Sequence, residues 1–421
     1  LDDSDLLKGQ TYTVSSKAID LAGNAQTSFG INTFTFTASE GTSLWNRDIT
    51  YDGSSGDDRP LAGAVDSNGN LYVVGYVTNV DKNWLIKKFS KRGIEDTTNW
   101  NKNVGDVGVD EIARSVAVDT SGNVYVAGSR WNGSDWDWMI KKYSSSGVED
   151  TANWDMLIDS GFGNDEALGV ASDSSGNVYV VGYGRNLTGG STSEDMWIKK
   201  FQSNGVLSCE QKLDEGASNL SDRANAVAVN NSSQKIFIAG YKTVTGPDRQ
   251  MVVKRLRMSD CSIEATSVGN SVGTLDYAST IRVDSAGSVF VSGTTSSTDQ
   301  DWWVRKYSAA LALSSEFNTT VAGNHEALGL AVDSNSNVYV GGYKTGATQD
   351  LWLRQFSSTL VENTGTWDKV IDGASGNDQV SAVVISSGTG DTDNVYMIGW
   401  GTNLIGGASG ADWWIRKYAG P

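Results

Sequence analysis

The sequence predicts an all-β fold, a seven-bladed β-propeller, on three observations. A hairpin pattern, DSSGNVYVVGYG at 173–184, recurs seven times. Each copy is followed by a third and then a weaker fourth strand. The two ends of the array are complementary, one lacking a strand and the other carrying a spare.

The hairpin turns start at Asp66, Asp119, Asp173, Asn230, Asp284, Asp333 and Ser386, spaced 49 to 57 residues apart. A fixed period of this size marks a repeat architecture. The second strand of each unit carries a glycine at its end: Gly75, Gly128, Gly182, Gly240, Gly293, Gly342 and Gly399. That strand is apolar on both pleat faces, as a strand sandwiched between neighbouring sheets must be. Third strands follow, from NWLIKKF in the first unit to DWWIRKY in the last, and then fourth strands such as NWDMLID at 153–159 and TWDKVID at 366–372. One such sheet cannot bury both its faces, but seven arranged radially can. The last unit stops after its third strand, at Tyr418, while LWNRDITYD at 44–52 reads as a detached fourth strand. Residues 44–51 are therefore expected to pair with 412–418 and close the ring, removing an exposed edge.

Composition agrees. The chain has 421 residues, 48 glycines and only 3 prolines, with many Val, Thr, Tyr and Trp. That is β text. Acidic residues outnumber basic ones by 50 to 33, a net charge of −17. A nucleic-acid binder needs a basic stripe, and attraction to anionic lipid needs basic clusters, so neither class fits. No run approaches the roughly 18 apolar residues of a membrane span. The opening residues read as mid-domain, so further chain is expected before residue 1.

The recurring AVDSSGN-VYV-GY resembles the bacterial seven-bladed propeller repeat abbreviated SBBP, over about 44–420. The third strand, DWWIRKY, separates it from the NHL pattern, and WD and kelch signatures are absent. Residues 1–40, with LLKGQTYTVSSKAIDLAGNAQTSFGINTFTFTA, resemble the last strands of a bacterial Ig-like domain. The expected organisation is thus an Ig-like segment at 1–40 and a propeller at 41–421. The combination resembles spirochaetal cell-surface antigens and implies an exported protein at the cell surface or outside the cell. Units three and seven share RNLTGGSTSED and TNLIGGASGAD, which suggests duplication of a multi-blade block.

Eight positions before each hairpin start stand Asp58, Glu111, Asp165, Asp222, Asp276, His325 and Asp378. They are expected around the mouth of the central channel, on the face of the loops between second and third strands. One reading is that each accepts backbone N–H bonds in its turn. The sharper one is a ring of carboxylates that binds a cation such as calcium, or a basic partner group. A second recurrence is basic in every unit: Lys87, Lys141, Lys199, Lys254, Arg305, Arg354 and Arg416. Period two places it on the pleat face of Trp197, Trp303, Trp352 and Trp414. A cation stacked between rings, with its head on a carboxylate, is structural.

Most of the 15 tryptophans occupy repeat positions and read as inter-blade core. Trp131, Trp136 and Trp400 sit in or beside the variable loops, and are the candidates for an exposed binding surface. The case for an enzyme is thin. One histidine cannot build a three-His zinc site, and nothing near His325 resembles a nucleophile elbow. No P-loop or GxGxxG opens a helix, and the Asp-box of sialidases is missing. The expectation is a non-enzymatic binding module, monomeric, with an extracellular protein or glycan partner and no resident cofactor beyond that cation. The alternative is a propeller lyase or glycosidase acting on polysaccharide. Cys209 and Cys261 follow the third strands of adjacent units. Export permits a disulfide, but equivalent sites on neighbouring blades can exceed the roughly 7 Å Cα limit for a bridge.

Overall fold

The computed structural model describes residues 11–16, 30–35, 42–44, 48–52, 56–189, 193–215, 220–245, 248–269, 275–296, 299–372, 376–386, 393–402 and 410–421. The described residues contain no helix. Seven four-stranded antiparallel sheets form the blades of a propeller, six of them with their strands in chain order from the inside outward. Blade 1 runs Arg59–Val65, Leu71–Thr78, Lys82–Phe89 and Lys102–Val104. Blades 2 to 6 repeat the plan. Blade 7 takes its outer strand from the other end of the chain: Ile49 lies opposite Ile415 and Tyr51 opposite Trp413. The Asp48 carboxylate clamps the Arg416 guanidinium in a bidentate pair across the same closure. Residues Thr11–Ser16 and Gly30–Thr35 form a separate two-stranded ladder. The rest of the segment read as Ig-like lies outside the described residues.

The repeated letters of the hairpin have a common physical cause. In blade 1 Asp66 Oδ1 accepts the N–H of Asn68 and of Asn70, each at 2.9 Å, while Oδ2 accepts the Asn70 side-chain amide and the Tyr72 hydroxyl. Asp119, Asp173 and Asp333 repeat the set with Tyr125, Tyr179 and Tyr339. One carboxylate thus organises turn, asparagine and tyrosine together. The residue before that asparagine has a positive φ, 82° at Gly69, which costs glycine nothing, and 64° at Ser336 in blade 6.

The glycine ending each second strand answers to a different demand. The inner strand bulges opposite it in every blade, between Pro60 and Ala62 in blade 1. The bulge pushes a carbonyl at the glycine: a Cβ on Gly75 would lie 2.0 Å from Arg59 O, and one on Gly240 would lie 1.9 Å from Arg223 O. Any side chain there would break the ladder.

The blades pack through the apolar second and third strands. Tyr72, Trp84, Trp100 and Tyr143 make one such cluster between blades 1 and 2. A polar stitch runs outside the cluster. The residue after each recurrent base reaches a turn carbonyl of the next blade: Lys88 to Ser145 O, Lys142 to Ser203 O, Lys200 to Met258 O, Arg255 to Ala309 O, Lys306 to Ser358 O and Lys417 to Lys91 O. Blade 6 has Gln355 at that position, whose amide donates to its own blade's Tyr339 hydroxyl at 2.8 Å. Cys209, on the outer strand of blade 3, is joined by a disulfide to Cys261 of blade 4, their Cα atoms 5.8 Å apart.

Candidate functional site

The seven acidic or histidine positions do not ring the channel mouth, and that expectation is corrected. Asp58, Asp165, Asp222, Asp276, His325 and Asp378 are 0% exposed and Glu111 is 1% exposed. None of them lines the central channel, whose wall is made by the innermost strands. Each precedes or opens its inner strand, and six of the seven reach back to the end of the second strand of their own blade. Asp58 accepts the Thr78 N–H at 2.8 Å, Asp165 that of Arg185 at 2.8 Å, Asp222 that of Thr243 at 2.9 Å and Asp378 that of Thr402 at 3.2 Å. Asp276 accepts the Thr295 hydroxyl. His325 fills the role with a ring nitrogen, Nδ1 accepting the Thr345 N–H at 3.2 Å. Its proton is therefore on Nε2, and burial pulls its pKa below the ordinary value. The plainer reading of this recurrence describes what these side chains touch.

Two junctions depart from the common pattern. Between blades 2 and 3, Asp165 meets Asp137, which opens the third strand of blade 2, and Asp159, which follows its outer strand. One ligand oxygen from each lies within 4.8 Å of the other two. Asp137 Oδ2 accepts the Asn132 amide at 3.0 Å, while its Oδ1 is buried without a hydrogen-bond partner. Desolvation pushes the Asp165 carboxyl up to about 6, although bonds from Ser160 and Arg185 favour its charged form. These three oxygens are the set that could hold a hard cation.

Between blades 1 and 2 the same positions are Asn83, Gly105 and Glu111. Met139 also stands where blades 3, 5, 6 and 7 have Trp197, Trp303, Trp352 and Trp414. The smaller side chains leave a cleft of about 660 Å³ lined by Gly105, Asp106, Glu111, Arg130, Met139 and Lys141 among others. Arg130 enters it, with Nε 3.3 Å from Glu111 Oε1 and its far end on Asp106. Glu111 Oε2 is buried without a hydrogen-bond partner. Desolvation raises this carboxyl to about 7 against the pull of the Asp106 N–H and of Arg130. Sequence reasoning named Glu111 but missed its partner Arg130. A signal was present, the loss of aspartate and of tryptophan at one junction.

The tryptophans divide. Trp131 and Trp136 face each other across the loop end of blade 2. Their rings stand edge to face, 5.8 Å between centroids, and both are half-buried. Trp136 also abuts the acidic trio, since its carbonyl accepts the Asp165 N–H at 2.6 Å. Trp400 is not an exposed loop residue, which corrects that expectation. It lies inside the second strand of blade 7, only 7% exposed, and the Arg59 guanidinium covers its ring at 4.0 Å.

The recurrent bases are paired, and all but the half-buried Arg416 are buried. Lys87 binds Glu95, Lys141 binds Glu149 and Asp155, Lys199 binds Glu210, Lys254 binds Glu215, and Arg305 binds Glu316. Arg354 binds Glu362 and stacks 4.6 Å from the Trp352 ring centroid. Five of the seven find their carboxylate within their own unit, Lys254 reaches Glu215 just beyond the outer strand of blade 3, and Arg416 uses the closing strand.

No family model and no curated protein matches the chain in sequence. Solved structures do match in shape. A catalytically inactive virginiamycin B lyase from Staphylococcus aureus, with quinupristin, aligns with TM-score 0.54 at 9% identity, covering 88% of this chain and 99% of its own. An ulvan-acting polysaccharide lyase aligns with TM-score 0.53 at 10% identity, over 87% and 97%. The periplasmic gluconolactonase of Pseudomonas aeruginosa gives 0.52 at 11%, over 84% and 99%. Identity this low speaks to fold alone, and on fold the likeness and the strand order agree: the chain is a seven-bladed β-propeller.

Proposed function

We propose that the chain is a non-enzymatic binding module of an exported protein, and that blade 2 carries its contact surface. The observation that carries the reading is the half-buried Trp131–Trp136 pair standing beside Asp137, Asp159 and Asp165. Paired aromatic rings offer area at low entropic cost, and carboxylates beside them favour cationic or hydroxyl-rich partners. A divalent cation such as calcium would sit on the three carboxylates and take hydroxyls of a glycan as further ligands. The disulfide supports an oxidising, extracellular setting. The SBBP and Ig-like resemblances support display at a cell surface, with an extracellular protein or glycan as partner.

The test uses the full chain against a panel of cationic peptides and of neutral and acidic glycans, with and without calcium. The expected result is binding without product, lost in W131A/W136A while the melting temperature hardly changes. Binding unchanged in that variant would refute the assignment. The second reading, a polysaccharide lyase or glycosidase, rests on Glu111. A buried carboxyl raised to about 7 beside Arg130 in an open cleft is suited to proton transfer. Turnover of a uronic-acid glycan, abolished in E111Q, would establish it and displace the first.

A further inference from the structure

The central channel has a volume of about 410 Å³ and is walled by the innermost strands of all seven blades. Its described lining is Ala, Val, Leu and Gly with a few Ser, Thr and Asn side chains, and one charged residue, Arg282. The position belongs to the repeat. Arg282 lies opposite Phe290 of the second strand, and the residues in the same register are Ala64, Ala117, Ala171, Ala228, Ala331 and Val384. Six blades thus place a small apolar group where blade 5 places a cation.

That cation is poorly provided for. Arg282 Nη1 donates to its neighbour Ile281 O at 2.8 Å and lies 3.5 Å from Thr280 Oγ1. Among the described residues no carboxylate pairs with it, and burial alone acts on its proton affinity, in the lowering direction. A guanidinium stays charged regardless, so its remaining N–H donors stand in the channel uncompensated. Ser279 Oγ, on the same wall, is buried without a hydrogen-bond partner. Each inner strand is also the last of its sheet, so its free edge offers backbone N–H groups, alternating with carbonyls, to the channel. Donors thus face a small channel space in a chain of net charge −17, and no carboxylate stands among its described lining residues.

We propose that the central channel binds a small oxyanion, held by the Arg282 guanidinium with Ser279 and inner-strand N–H groups. The planar fork matches two oxygens of one group, which a carboxylate or a phosphate supplies. The site lies in the channel, away from the blade 2 surface, and does not depend on the binding function argued above.

The variant R282A restores the residue five other blades carry, so it is expected to fold. In a zwitterionic buffer of low salt it melts higher than the parent, because a half-buried charge with no carboxylate partner is gone. Added inorganic phosphate then raises the parent's melting temperature and leaves R282A unmoved. Calorimetric titration at fixed ionic strength gives an affinity that falls about tenfold or more in R282A and less in R282K. Acetate in place of phosphate tells a carboxylate site from a phosphate site. Diffraction from crystals grown with selenate places an anomalous peak within hydrogen-bond distance of Arg282. Equal response of parent and R282A to both anions, or a peak elsewhere only, overturns the proposal.

Discussion

The junction of blades 2 and 3 and the junction of blades 1 and 2 are built on one plan and solved differently. In the first, Asp137, Asp159 and Asp165 crowd their oxygens within 4.8 Å of one another. In the second, Asn83 and Gly105 replace two of the acids, Glu111 is one methylene longer, and Arg130 supplies the opposite charge at 3.3 Å. The first concentrates like charge around the buried anchor of the turn. The second dilutes it, and a cleft opens where a tryptophan and an aspartate are missing. The buried anchor itself must be satisfied in both. Around it the repeat is free to change, and chemistry specific to one blade arises there.

The comparison can be broken most severely where the ring itself closes. A chain beginning at Asp57 loses the outer strand of blade 7 and the Asp48–Arg416 clamp. The expected loss is about 4 kcal/mol or more, read by chemical denaturation. An unchanged unfolding midpoint would mean that the two ends do not depend on each other.

The next effect separates the two junctions. Asp165 accepts the Ser160 N–H, the Ser160 hydroxyl at 2.9 Å and the Arg185 N–H at 2.8 Å. D165A leaves these donors buried and should cost roughly 2–4 kcal/mol. Glu111 has one oxygen without a hydrogen-bond partner, and Arg130 keeps Asp106 when it is gone. E111A should therefore cost only about 1 kcal/mol or less. Equal losses in denaturant titrations of the two variants would erase the distinction.

A smaller effect is in pH. Glu111 titrates near 7 in the folded chain and near its ordinary value when unfolded. Between those values the folded state holds a proton that the unfolded state has lost, so stability falls as pH rises toward 7 and levels off above it. Asp165 does the same up to about 6. His325, with its pKa lowered by burial, acts oppositely and takes stability away as pH falls below its ordinary value. The melting temperature should thus rise from pH 8 to about 6.5 in the parent and stay level over that range in E111Q. A parallel rise in E111Q would assign the titration to another group.

The smallest effect sharpens the acidic side. Calcium at ten times its dissociation constant would stabilise the chain by about 1.4 kcal/mol. D159N should abolish that gain and E111Q should leave it intact. A gain that survives D159N places the ion elsewhere.

Much of the ring was legible because its causes are periodic. Asp66 and its six counterparts, the glycine at Gly75 and the base at Lys87 each recur once in every unit. The missing fourth strand after Tyr418 announced the closure. What stayed illegible was direction. Sequence places Asp58 and its counterparts in a turn but does not say that the side chain turns inward to a strand end rather than outward to the channel. Trp400 sits near a variable loop in the sequence, yet Arg59 from the next blade covers it. Arg282 breaks the repeat in a single blade and Arg130 stands at a variable position, and a search for recurrence passes over such residues.

Lys or Arg stitches six of the seven blades onto a turn carbonyl of the next, and blade 6 carries the uncharged Gln355 at that position. The blade that follows it is the one made from both ends of the chain. The seven blades are alike, but the ring they form has a beginning.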